Sequence, residues 1–363
     1  MSGVLRRNDK SFRLRAGDWV IVRSEGEILA TLDERARLNE LPFQPEMLAF
    51  CGRRMQVAKI AHKTCDSINK TGGRRMIRAV HLEGSRCDGA AHGGCQADCV
   101  FFWKEAWLRR ADAPAEPEVP REPEHCTREL VQLRTRTPET EKDADPTWVC
   151  QTTSLFEATN LLHWWDVRQY IRDLTTRNHS LLYMVKLLSA AGYRKFVGFG
   201  PGYRLKVALY DRFQAIVGGK PLPVVYPKLR AGQPTPMVKL DLQPGELVEV
   251  RTPVEIDETI TVDGMNRGMR YDMEMRKYSG ERYRVQMRVD RLINEQTGKM
   301  MHMKNPCIQL ENVYCRAQCT DRRLGCPRAS NTYWREIWLR RVSPPADAGQ
   351  HPIAVDSGMS STP

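Results

Sequence analysis

Residues 16 to 110 and 244 to 341 are diverged copies of one module, so any fold for this chain has to contain the same unit twice. At an offset of 228, Gly17, Val20, Val22, Arg23, Glu27 and Ile28 fall on Gly245, Val248, Val250, Arg251, Glu255 and Ile256. Glu46, Met47, Gly52, Arg54, Val57, Leu82, Glu83 and Cys87 fall on Glu274, Met275, Gly280, Arg282, Val285, Leu310, Glu311 and Cys315. After a slip of three residues the endings FFWKEAWLRR and TYWREIWLRR coincide, which sets Cys95 on Cys326 and Trp103 and Trp107 on Trp334 and Trp338. A duplicated unit with duplicated cysteines points to two metal sites.

Each copy reads as short strands. GDWVIV and GELVEV follow a turn glycine, RMQVAKIAH and RYRVQMRV alternate, VHLEG and IQLEN supply a further strand, and INKTGG and INEQTGK mark a hairpin turn. Between the copies the apolar spacing predicts helices in LFEATNLLHWWDVRQYIRDL, in SLLYMVKLLSAAG ending at Gly192, and along the stripe Leu205, Leu209, Phe213 and Ile216. The chain then divides into a first module (14–111), a Pro-rich linker (112–147), a helical segment (148–220), a connector (221–241), a second module (242–343) and a tail expected to be disordered (344–363). The expected class is mainly β with a helical insert, each module carrying a cysteine-rich metal-binding extension.

The openings GDWVIVRS and GELVEVRT, with the short strands after them, resemble SH3-like barrels of the KOW or nitrile-hydratase-beta type. Such barrels are mostly binding platforms. The resemblance implies a fold and no catalytic residue.

Eleven cysteines in recurring clusters read as ligands if the chain works in the reducing cytoplasm, and no apolar run is long enough to span a membrane. The first copy holds Cys65, Cys87, Cys95 and Cys99; the second holds Cys307, Cys315, Cys319 and Cys326. Only Cys87 with Cys315 and Cys95 with Cys326 align. Cys65 and Cys307 flank the matching hairpin on opposite arms, where a ligand can exchange sides because cross-strand neighbours are about 5 Å apart. Cys99 and Cys319 would enter from different sides of one loop. Each module is thus expected to keep four thiolates, with two zinc ions per chain as the first reading and one iron-sulfur cluster per module as the alternative. Cys51 aligns with Ser279, and Cys126 and Cys150 lie outside the modules; these three read as incidental. His62, His81 and His92 could replace a cysteine in the first site, but they have no counterparts in the second copy and read first as structural.

Trp103, Trp107, Trp334 and Trp338 either close the two cores or form an aromatic platform flanked by Arg109, Arg110, Arg340 and Arg341, suited to stacking on bases. Lys70, Arg74 and Arg75 at the first hairpin, and Lys299 and Lys304 at the second, are candidate phosphate contacts or simply solvated charges. The cluster from His163 to Tyr170 is either a pocket wall or packing. A net charge of +12 favours an acidic macromolecular partner, a carrier protein or nucleic acid. No P-loop, dinucleotide fingerprint, nucleophile elbow or HExxH pattern is present, so nothing supports an enzymatic activity. The first functional expectation is a non-catalytic or accessory metal-binding protein that presents a basic surface; the alternative is an iron-sulfur redox component.

Overall fold

The computed structural model describes residues 14–66, 69, 71–112, 125–137, 145–216, 218 and 221–342. Its architecture is small antiparallel sheets with some helices. In the first sheet the strands lie in the order Trp103–Lys104, Ala79–Leu82, Arg54–Ile60, Trp19–Val22, Leu108–Arg110. In the second they lie in the order Asn331–Trp334, Ile308–Tyr314, Arg282–Arg288, Leu247–Val250, Leu339–Arg341.

The repeat survives at the level of register. Val20 pairs with Met55 and with Arg110, as Val248 pairs with Tyr283 and with Arg341. The long central strand is irregular at the same place in both sheets, between Val57 and Lys59 and between Val285 and Met287. A bulge there bends the strand and increases its local twist. Gly17 and Gly245 open the two sheets at φ +92° and +87°, a conformation costly to a residue with a Cβ. Each donates its N–H across the sheet at 2.8 Å, to Val57 O and Val285 O.

The tryptophans are core. Trp103, Trp107, Trp334 and Trp338 are all 0% exposed, which removes the stacking platform as a reading. Their surroundings repeat as well: Phe43 lies edge-on to Trp107 at 5.2 Å between centroids, and Tyr271 to Trp338 at 5.3 Å. The indole N–H groups of Trp107 and Trp338 donate at 3.0 Å to the aligned hydroxyls of Thr31 and Thr259. A buried indole retains its apolar area only if that one donor finds a partner.

Each module also extends a hairpin, and the two hairpins exchange places. The first (Lys63–Cys65 with Gly73–Arg75) packs on the cysteine loop of the second module, where Lys63 Nζ donates to Leu324 O at 2.8 Å. A Cβ on Gly73 would lie 3.3 Å from Arg322 O. The second (Arg291–Ile293 with Met300–His302) packs on the cysteine loop of the first module: Gln96 N donates to Arg291 O at 3.1 Å, and Gln96 Oε1 accepts from Asp290 N at 2.6 Å.

The central segment is less helical than its apolar spacing predicts. Asn160–Leu162 forms a strand on the first hairpin, and the helix begins only at Arg168 and runs to Thr175. Asp166, expected within that helix, precedes it and accepts from Arg168 N at 3.1 Å. Leu181–Gly198 starts at the Ser180 cap and continues through Gly192. Tyr203–Ile216 follows, but Leu205, Leu209, Phe213 and Ile216 are all exposed. Residues 113–124 and 138–144 of the Pro-rich linker, and the tail from 343, lie outside the described residues.

Candidate metal centres

The sequence between Ser85 and Phe101 has little apolar material, and its fold comes from turns and one buried carboxylate. Gly89 sits at φ +72°, and a Cβ there would fall 2.0 Å from Cys95 O, so the loop closes tightly on itself. Glu46 Oε1 accepts from Ala91 N at 3.0 Å and from the His92 ring at 2.7 Å, while His92 Nε2 lies 3.1 Å from Val149 O. In the second copy the aligned Glu274 is also buried, and its Oε1 accepts from the N–H of Cys319, the residue aligned with Ala91. Two buried glutamates therefore clamp two equivalent loops.

Backbone hydrogen bonds fix the equivalence of the cysteine positions. Cys87 N donates to Cys99 O at 2.9 Å, and Cys315 N to Ser330 O at 2.8 Å, so Ser330 occupies the position of Cys99. Cys95 N donates to His92 O, and Cys326 N to Arg323 O, both at 3.2 Å, so Arg323 occupies the position of His92. In the hairpins Lys63 pairs with Arg75 as Arg291 pairs with His302, which sets Cys65 on Ile293.

Around the first loop, Cys87, Cys95, Cys99 and Cys150 line one cavity of about 30 Å³, with Gln44, His92, Ile293 and Glu295 on its walls. Gln44 Nε2 donates to Cys87 Sγ at 3.7 Å, and Ile293 N donates to Cys95 Sγ at 3.4 Å. Around the second loop, Cys65, Cys315 and Cys326 line a cavity of about 10 Å³ with Thr320, Arg323, Arg328 and Ser330. Arg328 reaches both: Nη1 is 3.9 Å from Cys65 Sγ, and Nη2 donates at 2.7 Å to Glu295, which lines the first cavity.

Burial raises the Cys87 and Cys99 thiols far above the ordinary range and raises Cys95 as well; Cys315 is pushed up to about 12. Neutral thiols are what such dry pockets hold without a cation, and a bound metal would deprotonate them. Cys65 differs. A hydrogen bond with Cys326, helped by the charges of Arg328 and Arg323, holds it well below the usual thiol range, and the same hydrogen bond pushes Cys326 up.

The cysteines thus associate differently from the two sets expected from the sequence. Cys65 sits with Cys315 and Cys326 rather than with Cys87, Cys95 and Cys99, while Cys150, read as incidental, joins the first cavity. Cys307 is 3% exposed in an apolar cluster with Val289 and Leu292, and burial pushes its thiol up to about 12. Cys319 lines a separate hollow with Arg194 and Met273. Among the described residues, one set of three candidate ligand atoms lies within 4.8 Å of one another: Glu46, Cys87 and His92. Both ring nitrogens of His92 already have partners, and the repeat gives its glutamate a clamping role.

The basic residues read as binding surface are largely engaged within the molecule. Arg74 is buried and donates to Thr159 Oγ1 at 2.9 Å and to Phe156 O at 2.8 Å; Arg75 pairs with Asp166 at 2.9 Å. Arg110 pairs with Asp112 at 2.9 Å, Arg340 with Glu255 at 2.7 Å and Arg341 with Glu246 at 2.6 Å. Arg109 lies in an edge strand opposite Ile21, and Lys70 is outside the described residues. Glu46 and Glu274 were visible in the alignment of the copies, whereas Cys150 and the Arg328–Glu295 pair left no signal there.

The chain matches no protein-family model, and neither a curated protein nor a solved structure is detectably similar to it. Among the described residues no helix is long and apolar enough to cross a membrane.

Proposed function

We propose that this protein carries an iron-sulfur cluster in the cavity lined by Cys87, Cys95, Cys99 and Cys150 and a second metal centre at Cys65, Cys315 and Cys326, and works as a redox component of the cytoplasm that exchanges electrons with an acidic partner. The observation that carries the reading is space between the thiols. A single zinc ion draws four thiolates to about 2.3 Å, which sets the sulfurs about 3.8 Å apart and leaves no room for another atom at their centre. Cys87, Cys95, Cys99 and Cys150 instead surround about 30 Å³, and no three of their sulfurs come within 4.8 Å of one another. A cluster puts several iron and sulfide atoms in that space, and its thiolates stand further apart. The donors from Gln44 and the Ile293 amide to the sulfurs are of the kind that tune cluster potential.

In this reading each five-stranded sheet is an SH3-like barrel, and the metal-binding extension of each is completed by the hairpin of the other. The Arg328–Glu295 pair lies between the two centres and puts them in each other's electrostatic field. The net charge of +12 favours an acidic partner. Anaerobic purification followed by metal, sulfide and visible-absorption analysis tests the proposal. Brown protein with iron, acid-labile sulfide and absorbance near 400 nm is expected; colourless protein with about two zinc ions per chain would establish the structural zinc reading in its place.

A further inference from the structure

We infer that the helical hairpin between the modules, Leu181–Gly198 with Tyr203–Ile216, docks on an anionic membrane surface, its apolar stripes among the lipid chains and its lysines and arginines at the phosphates. This face is separate from the cysteine-lined cavities and does not depend on the metal they hold.

Two apolar stripes meet here. On the first helix Leu181, Leu182, Val185, Leu188 and Phe196 are exposed at the spacing of one face, while Met184, Leu187 and Ala191 pack inward with Leu324. On the second helix Leu205, Leu209, Phe213 and Ile216 are exposed along one face, while Val207 packs inward with Val197 and Leu222. The helices run antiparallel: the rings of Tyr193 and Tyr210 lie 5.0 Å apart between centroids, and Lys206 Nζ donates to Phe196 O at 3.3 Å. With Tyr193 and Val197 of one helix facing Val207 and Tyr210 of the other, the helical repeat puts both stripes on the same side of the hairpin. Phe199, at the turn that joins them, is 81% exposed.

Charge selects what such a face meets. Residues 181–216 carry six basic side chains, Lys186, Arg194, Lys195, Arg204, Lys206 and Arg212, against one acid, Asp211, a local net charge of +5. That acid is turned to the backbone, its Oδ1 accepting from Leu222 N at 2.7 Å. Two copies of this chain joined by their stripes would bring ten unmatched charges together, which opposes self-association and favours an anionic surface. Leucines and phenylalanines bordered by exposed cations are the composition of helices that lie in the plane of a bilayer interface. Trp164, half-exposed, stands beside the stripe with Lys195 Nζ 3.5 Å from its ring centroid, a pairing suited to the headgroup level.

Full-length protein is mixed with vesicles of phosphatidylcholine, alone or with phosphatidylglycerol, and bound protein is separated by flotation. Binding to the anionic vesicles is expected, with little to the neutral ones and a steep loss as salt rises. Phe199→Ser and Leu209→Ser, both at exposed positions, should each weaken binding about tenfold, and Arg204→Gln combined with Arg212→Gln about tenfold or more. Melting temperature and metal content should stay as in the unaltered protein. Protein that stays off the anionic vesicles, or binds them equally well in all these variants, overturns the proposal. Sedimentation without lipid adds the competing occupant: a dimer that Leu209→Ser dissociates, with no vesicle binding, gives the face to a second copy and overturns it too. Protein purified with zinc in place of iron should bind the same vesicles, so failure of the iron-sulfur reading leaves this result standing.

Discussion

His81 is 2% exposed, has one ring nitrogen 2.8 Å from Phe101 O and the other buried without a partner, and its pKa is pushed down to about 4, chiefly by burial. A histidine whose native pKa lies below its unfolded value of about 6.5 favours the native state at neutral pH, and that contribution is lost as pH falls from about 6.5 towards 4. His62, pushed down to about 3, and His179, to about 4, act with the same sign and the same main cause. Acidification from pH 7 to pH 5 should therefore cost about 1–2 kcal/mol for His81 alone, seen as a lower melting temperature in calorimetry. His81→Gln, which retains a donor for Phe101 O, should flatten the pH dependence; an unchanged slope would remove His81 from this account. Cys150 makes a second case at this scale. Cys150→Ser should remove the iron of the first cavity, whereas Cys307→Ala should leave metal content unchanged and lower stability through a small void. Elemental analysis per chain separates the two variants.

The elements that build the sites are loops held by turns and by a buried carboxylate, not by a large apolar core. Gly89 is the tightest point, with Cys95 O 2.0 Å from where a Cβ would be. Gly89→Ala should therefore open the first loop, costing roughly 1–3 kcal/mol for the backbone conformation alone, and should lower the iron content. Retention of all iron and of thermal stability would show that the loop has more slack than its geometry implies. At the level of elements much was legible: the strands and the hairpin turns follow from alternation and turn residues, whereas the tryptophans fitted core or platform until their burial decided it. The strand at Asn160–Leu162 was not, because its apolar run suits a helix as well, and only pairing with Gly73–Arg75 decides between them. The outward stripe from Leu205 to Ile216 is a similar case, since helical spacing reports a common face and not what covers it.

At the scale of the whole molecule, the exchange of hairpins means that each cavity is built from both copies. Cys65 belongs to the first copy and sits with Cys315 and Cys326 of the second. Cys65→Ser and Cys87→Ser should each remove one of the two metal centres, and the double variant both. If the two cysteines served one centre, the double variant would keep the other, a result that would restore the grouping by sequence. Trp148 and Thr147, packed against Gly298 of the second hairpin with Trp148 N donating to Gly298 O at 2.8 Å, tie the helical segment to the same junction. The sequence by itself determined the duplication, the pattern of strands and the pairing of the tryptophans and glutamates between the copies, because these are set by near neighbours that each copy carries with it; their burial and hydrogen bonds came from the fold. Only the tertiary structure decided which thiols share a cavity, that Cys150 joins them, and that one set has three members. Those outcomes depend on contacts between segments as far apart as Cys65 and Arg328, and an alignment of the copies shows which positions correspond without showing which copy packs on which.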